Sequence, residues 1–197
     1  MLSVTDLLTL NTKPSLKDIT LQTIQEFYSE HLCKKVFIFE LDSPDFPLVR
    51  LRFEEDNFCH LLGIQHVLKS QKGGTSYIGQ EGYNLIKKGT VTFDFMKTKN
   101  KQGFKSKKNR MLYFPFVYQV LNSPTITKFS RAHLTTNIDL DILFYTQTHN
   151  IYLHLGLGQD NTTDYFYPKT FYDRKRNDHI DGQEELTLKS MSIELDN

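Results

Sequence analysis

Cysteine is scarce in this sequence, and long apolar runs are missing. The 197 residues include only two cysteines, Cys33 and Cys59, which are too few for a disulfide framework or a four-cysteine zinc site. No apolar run approaches the roughly 18 residues that span a bilayer. The N-terminal residues also lack the basic stretch and the small-residue cleavage site of a signal peptide. These absences predict a soluble, cytoplasmic protein with no membrane partner.

Glycine and proline are also few, at 10 and 6 residues, whereas aromatic residues make up 13% of the chain. This composition excludes a collagenous chain and a disordered one. The sequence contains no internal repeat that would indicate a solenoid. Its length predicts a single domain over residues 1–197, with a core at about 15–195.

Acidic residues are absent over 44 consecutive positions, from 95 to 138, although the whole chain has a net charge of only +1. The segment has a charge of +9, so the other 153 residues sum to −8. Such a segment favours a polyanion-binding surface. Its densest part, 97–110, is predicted to be a basic loop insertion, and a solvated lysine loop without a ligand is the alternative. The nine cations are Lys97, Lys99, Lys101, Lys105, Lys107, Lys108, Arg110, Lys128 and Arg131.

Hydrophobic periodicity predicts helices in the first two thirds of the chain, interrupted by one hairpin. Residues 15–33 are expected to form an amphipathic helix that begins at a capping box of Ser15 and Asp18. Residues 34–53 alternate as a β-hairpin that places Arg50 and Arg52 on one face. A helix is expected from Asn57 to the glycines at 73–74, and further helices follow up to residue 122, although 91–95 could be a strand. Pro115 would lie near the first turn of the last helix or kink it.

The pattern of the last third of the sequence predicts an antiparallel sheet. Its strands are expected at 126–131, 139–147, 150–158 and 164–168, with a hairpin turn at 147–150, and residues 185–195 are expected to be a closing edge strand. The fold class is therefore α+β: an N-terminal helix and β-hairpin, central helices, and a C-terminal antiparallel sheet.

The motifs of nucleotide-binding and metal enzymes are missing, including GxxxxGK[ST], GxGxxG after a strand, HExxH and GxSxG. Cys59, His60 and His66 offer ligand atoms for a metal, but no second cluster accompanies them. Asp139 and Asp141 share a strand face, which is more typical of a strand end than of a metal–carboxylate site. We therefore predict no metal and no cofactor, with a metal–carboxylate site as the alternative.

Histidine, hydroxyl groups and cations remain for chemistry. Cleavage of RNA by its own 2′-hydroxyl needs a general base, a general acid and cations for the transition state, and imidazole can take either proton role. His60 is the best candidate because it is expected near a helix start, where backbone N–H groups attract phosphate. A half-buried histidine with a structural role is the alternative.

Aromatic and basic residues interleave over 165–179, a pattern that can stack bases and bind phosphates. Tyr167 and Arg174 are the candidates taken from this segment. An aromatic core strand followed by a solvated basic turn is the alternative.

Two short segments resemble motifs of a known family. The run from Phe58 to Ile64, FCHLLGI, resembles an F-x-H-L-L-G-L helix start, and YPKTF, from Tyr167 to Phe171, resembles a Y-x-P-x-T-F element. Both are features of a phage and prophage branch of the barnase–EndoU–colicin–RelE-like nucleases. The resemblance covers about 20–195, and Cys59 stands where a proline or another small residue is expected.

The resemblance implies a small α+β nuclease fold and a metal-independent RNase or RNase-like toxin. By matching position, it makes His60 the acid/base residue and Thr170 a polar active-site residue. Arg110, in the middle helix, becomes a candidate phosphate or transition-state ligand. Further substrate-binding candidates come from the basic segment rather than from a motif: Lys105, Lys107, Lys108, Lys128 and Ser130.

The sequence is compatible with three functions. The first is an RNA-cleaving toxin in phage defence or phage–host conflict, acting on RNA and possibly on tRNA. The second is a non-catalytic module that binds nucleic acid or senses a phage component. The third is an interaction domain whose lysines meet an acidic partner, such as an antitoxin or a phage-encoded protein.

Overall fold

The computed structural model describes residues 1–132, 134, 136–148 and 150–196. The chain forms two compact units, which we call the helical unit (1–33 and 54–116) and the barrel unit (34–53 and 117–197). Whether they behave as the single domain expected from the length stays a prediction. Within the described residues, no helix has the length and apolar character needed to cross a bilayer.

The helical unit consists of short helices joined by tight turns. Two 3-10 turns, Gly74–Tyr77 and Phe114–Phe116, complete it. Its α-helices are α1 (Val4–Leu8), α2 (Leu21–His31), α3 (Asn57–Leu61), α4 (Ile64–Leu68), α5 (Gly79–Lys87), α6 (Phe93–Lys99) and α7 (Lys101–Tyr113).

Two helix boundaries differ from the sequence prediction. Helix α2 begins after Thr20, whose side chain accepts a hydrogen bond from the backbone N–H of Thr23 (2.9 Å). The predicted capping box is instead a separate turn, in which the Asp18 carboxylate accepts from the Ser15 N–H (2.8 Å). The single helix predicted from Asn57 is wrong because Gly63, at φ +74°, ends the first helical segment and starts α4.

The basic segment is helical, so the loop predicted for 97–110 is wrong. Helix α7 is capped by Asn100, whose side-chain oxygen accepts from the Gly103 N–H (2.9 Å). The helix buries Phe104, Met111 and Leu112, and this packing outweighs the mutual repulsion of its lysines. Residues 93–99 are also helical, which excludes the strand considered for 91–95, and Pro115 lies in the 3-10 turn where α7 ends.

Aromatic rings form the centre of the helical unit. Tyr28 of α2 lies 4.9 Å from the ring of Phe58 and 5.9 Å from that of Phe114, measured between ring centroids. The Tyr83 ring of α5 meets Phe58 edge-on at 5.7 Å. These tilted and edge contacts are the arrangements that aromatic rings favour, and they hold α3 against α2 and α5.

The barrel unit is one closed sheet of seven strands, accompanied by helix α8 (Val117–Asn122). The strand order is β1-β2-β6-β5-β4-β3-β7, and β7 returns to pair with β1. The strands are β1 (Lys35–Asp42), β2 (Leu48–Arg52), β3 (Thr125–Lys128), β4 (Ile142–Thr148), β5 (Ile151–Gln159), β6 (Tyr165–Arg174) and β7 (Glu184–Leu195).

The predicted hairpins are present, but their arrangement differs from the prediction. Strands β1 and β2 pair antiparallel, as do β4 and β5; of the turn at 147–150, His149 lies outside the described residues. The separate C-terminal antiparallel sheet is wrong, because β1 and β2 belong to the same barrel and β2 runs parallel to β6. Strand β7 pairs with both β1 and β3, so it closes the barrel and is not an edge.

The barrel core is filled by inward-facing apolar side chains. Phe39 of β1 meets Phe144 of β4 edge-on at 4.8 Å, and Leu153, Leu155 and Phe171 are fully buried. Complete burial of such side chains contributes about 1.5–3 kcal/mol each. This core gives the outward-facing residues of β5 and β6 a rigid support.

Candidate functional site

His60 lies in the last turn of α3, just before the bend at Gly63. The prediction that it lies near a helix start, where backbone N–H groups attract phosphate, is therefore wrong. The side chain of Gln65 in α4 donates a hydrogen bond from Nε2 to Nδ1 of the imidazole. This contact fixes the orientation of the ring and makes Nδ1 the acceptor. The neutral ring therefore carries its proton on Nε2.

Arg110 of α7 donates hydrogen bonds to the backbone of the same bend. Its Nη2 donates to the carbonyl oxygen of His60 (2.8 Å), and its Nε donates to the carbonyl of Leu61. The residue is only 9% exposed. The guanidinium thus satisfies carbonyl groups at the end of α3, which is a positioning role more than the phosphate contact predicted for it.

Gly63 allows α7 to approach the bend closely. A Cβ atom at this position would lie 3.2 Å from Cδ of Lys107 and 3.4 Å from Cδ of Arg110. The backbone φ of +74° is also one that glycine adopts at little cost. The glycine therefore lets the stems of two cations pack against the bend that follows His60.

The bend carries an excess of positive charge. Burial, followed by the neighbouring charges of Lys107 and Arg110, lowers the pKa of His66. Burial and Arg110 also lower the pKa of Lys107. The rings of His60 and His66 lie 6.4 Å apart. Nearby cations contribute to both of these lowered pKa values, so their charge would stabilise an anion that binds at the bend.

The neighbouring cysteine does not contribute a thiolate. Cys59 is fully buried, and burial raises its pKa to about 12. Within the described ranges, no group of three or more His, Cys, Asp or Glu residues is placed to hold a metal ion. The absence of a metal from the chemistry stays a prediction.

The remaining lysines of α7 point in different directions. Lys105 is exposed, and Lys108 is half-buried in a groove formed with residues 13–17. Successive residues of a helix are rotated by about 100°, so Lys107 and Lys108 lie on different faces of α7. The structure thus brings His60, Lys107 and Arg110 together and leaves Lys105 apart from them.

Thr170 lies in the barrel unit, on β6 opposite Gly156 of β5. A Cβ atom on Gly156 would lie 3.0 Å from Cγ2 of Thr170, so the missing side chain makes room for the threonine. The pairing of β5 and β6 shifts register between Gly156 and Leu157. Thr170 is half-buried. That Thr170 acts together with His60 stays a prediction.

Tyr167 also lies on β6 and is 37% exposed. A Cβ atom on Gly158 would lie 2.9 Å from the phenol of Tyr167, so the ring lies directly over the glycine backbone. The outer surface of this aromatic ring is accessible for stacking against a base.

Three other candidate substrate-binding residues make contacts within the barrel unit. The Lys128 ammonium pairs with the Asp45 carboxylate, and the Arg174 guanidinium donates to Asp178 (2.6 Å). Ser130 exchanges backbone hydrogen bonds with the Gln183 side chain (2.7 and 3.0 Å). These contacts favour structural roles for the three residues.

The sequence prediction considered His66 only as a metal ligand and did not consider Gln65 at all. Both lie on α4, five or six residues after His60. Their proximity to His60 depends on the bend at Gly63, since a continuous helix would direct them elsewhere. A glycine between two histidine-containing segments was the available signal for this bend.

A family model described as phage-Barnase-EndoU-ColicinE5/D-RelE like nuclease4 matches residues 20–193. The chain belongs to this family. No curated protein and no solved structure gives a significant match.

Family membership confirms the resemblance drawn from the FCHLLGI and YPKTF segments. The chain is thus a member of a nuclease family, and a nuclease family implies a nucleic-acid substrate. The match includes the bend that carries His60 and the β6 strand that carries Thr170.

Proposed function

We propose that this protein is a metal-independent endoribonuclease that cleaves RNA by attack of the 2′-hydroxyl on the adjacent phosphate. The proposal is carried by one observation: the His60 ring is oriented by Gln65 at a bend surrounded by Lys107, Arg110 and His66. Two imidazoles beside buried or half-buried cations are a suitable set for proton transfer to and from a phosphodiester.

In this reaction the 2′-oxygen forms a bond to phosphorus while the bond from phosphorus to the 5′-oxygen breaks. The products are a 2′,3′-cyclic phosphate and a 5′-hydroxyl. One group must take the proton of the 2′-hydroxyl, and another must give a proton to the departing 5′-oxygen. We assign these two roles to His66 and His60.

His66 suits the role of base because its lowered pKa keeps it unprotonated at neutral pH. Its side chain is exposed, so an RNA strand can reach it. His60 takes the role of acid in its protonated form, which carries a proton on Nε2 as well as on Nδ1. Rotation of the Gln65 amide by about 180° would present its oxygen to a protonated ring, so the same residue can support both protonation states.

Cations at the bend would stabilise the transition state. Lys107 is half-buried beside Gly63, where the charge of Arg110 opposes its own. A phosphorane-like transition state, which carries additional negative charge, would offset this repulsion. Arg110 then acts through the backbone of His60 and Leu61, and Thr170 is proposed as a further polar group near the scissile phosphate.

The biological role that we propose is that of a toxin in phage defence or phage–host conflict. Support comes from membership of a phage-associated nuclease family. A nuclease that degrades cellular RNA requires control, so we also propose a protein partner, such as an antitoxin or a phage-encoded inhibitor. Growth arrest on expression in a bacterium, relieved by His60→Ala, is the expected phenotype.

The decisive experiment incubates total RNA and tRNA with purified wild-type protein and with His60→Ala. The Arg110 contact uses the His60 carbonyl, so the alanine variant retains it and loses only the imidazole. The matched control is His31→Ala, another histidine at a helix end in the helical unit. We expect cleavage by wild type and His31→Ala, with and without EDTA, and a loss of at least about 100-fold in His60→Ala.

Equal cleavage by His60→Ala and wild type would overturn the proposed mechanism. Activity that disappears in EDTA and returns with a divalent cation would overturn the metal-independent reading. Detection of the 2′,3′-cyclic phosphate end would identify the 2′-hydroxyl as the nucleophile.

A second candidate function is binding of nucleic acid without cleavage. Helix α7 supports it, since Lys101, Lys105, Lys107, Lys108 and Arg110 follow one another over ten residues. In that case binding should weaken steeply with salt and should depend on the lysines but not on His60. Intact RNA after incubation with wild-type protein, together with salt-sensitive binding, would favour this function.

A further inference from the structure

A groove on the helical unit combines lysines with an apolar floor. The volume of this groove is about 600 Å³. Pro14 and Leu112 are buried at its base, and Leu16 is 37% exposed. The full lining consists of Lys13, Pro14, Ser15, Leu16, Lys17, Lys108 and Leu112.

The lysines at the rim come from two separate parts of the chain. Lys13 and Lys17 precede α2, whereas Lys108 lies on α7. The Lys13 ammonium donates to the side-chain oxygen of Asn109 (3.1 Å) and lies 4.9 Å from the centre of the Tyr113 ring. These contacts hold the 13–17 segment against α7, so the groove is a built feature of the fold.

The lining contains no carboxylate. The nearest acidic residue in the chain, Asp18, accepts hydrogen bonds from Ser15, and these bonds lower its pKa. Within the described part of the chain, no ion pair joins Lys13, Lys17 or Lys108 to a carboxylate, although the charge of Lys17 contributes to the lowered pKa of Asp18. The rim therefore keeps a positive charge that can attract an external anion.

We propose that this groove binds a single-stranded segment of the RNA substrate away from the cleaved bond. Ammonium groups at the rim suit successive phosphates, and the apolar floor suits the face of an unpaired base. In a duplex the base faces are stacked and inaccessible, so a duplex could contact only the lysines at the rim of the groove. The identity of the ligand rests on the proposed function, whereas the groove and its charges do not.

The test measures binding of a labelled 12-nucleotide single-stranded RNA to full-length protein that carries His60→Ala, so that the RNA stays intact. In this background, the groove variant is Lys13→Gln/Lys17→Gln/Lys108→Gln. The control is Lys72→Gln/Lys87→Gln/Lys88→Gln, which removes three exposed lysines of the same unit. The slope of log affinity against log salt should fall by about 2 in the groove variant, since each lost phosphate contact contributes about 0.7.

A second variant tests the apolar floor. We expect Leu16→Ser to weaken binding by about three- to ten-fold without changing the salt slope. Leu48→Ser, at a 46% exposed leucine of β2, is the control and should bind as the parent does. Both variants keep the net charge unchanged.

Several results would overturn the groove proposal. They are equal loss of affinity in the groove and control triple variants, equal affinity for a duplex of the same sequence, or tighter binding of a poly-glutamate peptide than of RNA. The last result would identify an acidic protein as the ligand. Because these measurements use protein that lacks His60, failure of wild type to cleave RNA would count against the proposed function and leave the groove proposal standing.

Discussion

At the scale of single residues, the bend at His60 depends on contacts that no short motif contains. The FCHLLGI segment predicts a functional histidine, but it does not include Gln65, which orients the ring. It also does not predict that Arg110 hydrogen-bonds to the His60 backbone from 50 positions away. The residue types of a site are thus readable from the sequence, whereas the partners that orient them are set by the fold.

The first residue-scale prediction concerns Gln65. In Gln65→Glu, a carboxylate replaces the amide beside Nδ1, which favours the protonated ring. We expect the pH profile of RNA cleavage to move upward by about one unit. Gln65→Leu removes the contact and should lower the cleavage rate by about ten-fold or more. Unchanged profiles in both variants would show that Gln65 does not act on His60.

A second residue-scale prediction concerns His154 in the barrel unit. The ring is 0% exposed and stacks on Tyr172, with 4.6 Å between the ring centroids. Burial, then the charges of His179 and Arg174, lowers its pKa to about 3. The unfolded chain takes up this proton near pH 6.5, so the histidine contributes to stability above that pH and the contribution is lost as the pH falls toward 3.

Urea unfolding at pH 7.5 and pH 5 measures this effect. We expect the wild type to lose stability between the two, and His154→Phe, which keeps a stacked ring, to lose less. His31→Phe is the control and should retain the wild-type difference. An identical pH dependence in His154→Phe would contradict the assignment.

At the scale of elements, the sequence predicts individual strands better than it predicts how the strands pair. Runs of β-forming apolar residues correctly predict β1, β4 and β5, and alternation predicts β2, in which Val49 and Leu51 are buried. The parallel pairing of Arg50 with Tyr165 joins positions 115 apart, and no local pattern contains that information. Helix α7 was not predicted, because few of its positions are buried and lysines dominate its composition.

The bend between α3 and α4 gives an element-scale prediction. Gly63→Ala places a Cβ atom 3.2 Å from Lys107 on a backbone with φ +74°, whereas Gly73→Ala imposes nearly the same φ, +72°, with nothing within 4 Å. Each should cost about 1 kcal/mol of stability through the backbone. Only Gly63→Ala should also displace Lys107 and lower RNA cleavage. Equal cleavage by the two variants would show that the close approach of α7 is unimportant.

At the scale of the whole molecule, the structure divides the basic segment that looks continuous in the sequence. Seven of its nine cations, from Lys97 to Arg110, lie in the helical unit. The other two lie in the barrel unit, where Lys128 pairs with Asp45 and Arg131 lies 3.8 Å from Asp139. The sum of +9 therefore overstates the charge of any one surface, and most of this charge lies in the helical unit.

This division predicts that equal changes in net charge have unequal effects on RNA binding. Lys101→Gln/Lys105→Gln removes two exposed charges of α7, and the slope of log affinity against log salt should fall by about 1.4. Lys128→Gln/Arg131→Gln removes two charges that already face carboxylates, so few counterions are displaced there and the slope should hardly change. Both double variants are measured with single-stranded RNA in the His60→Ala background. Equal slopes in the two double variants would contradict this expectation. They would show that RNA also contacts Lys128 and Arg131, despite the pairing of these residues with Asp45 and Asp139.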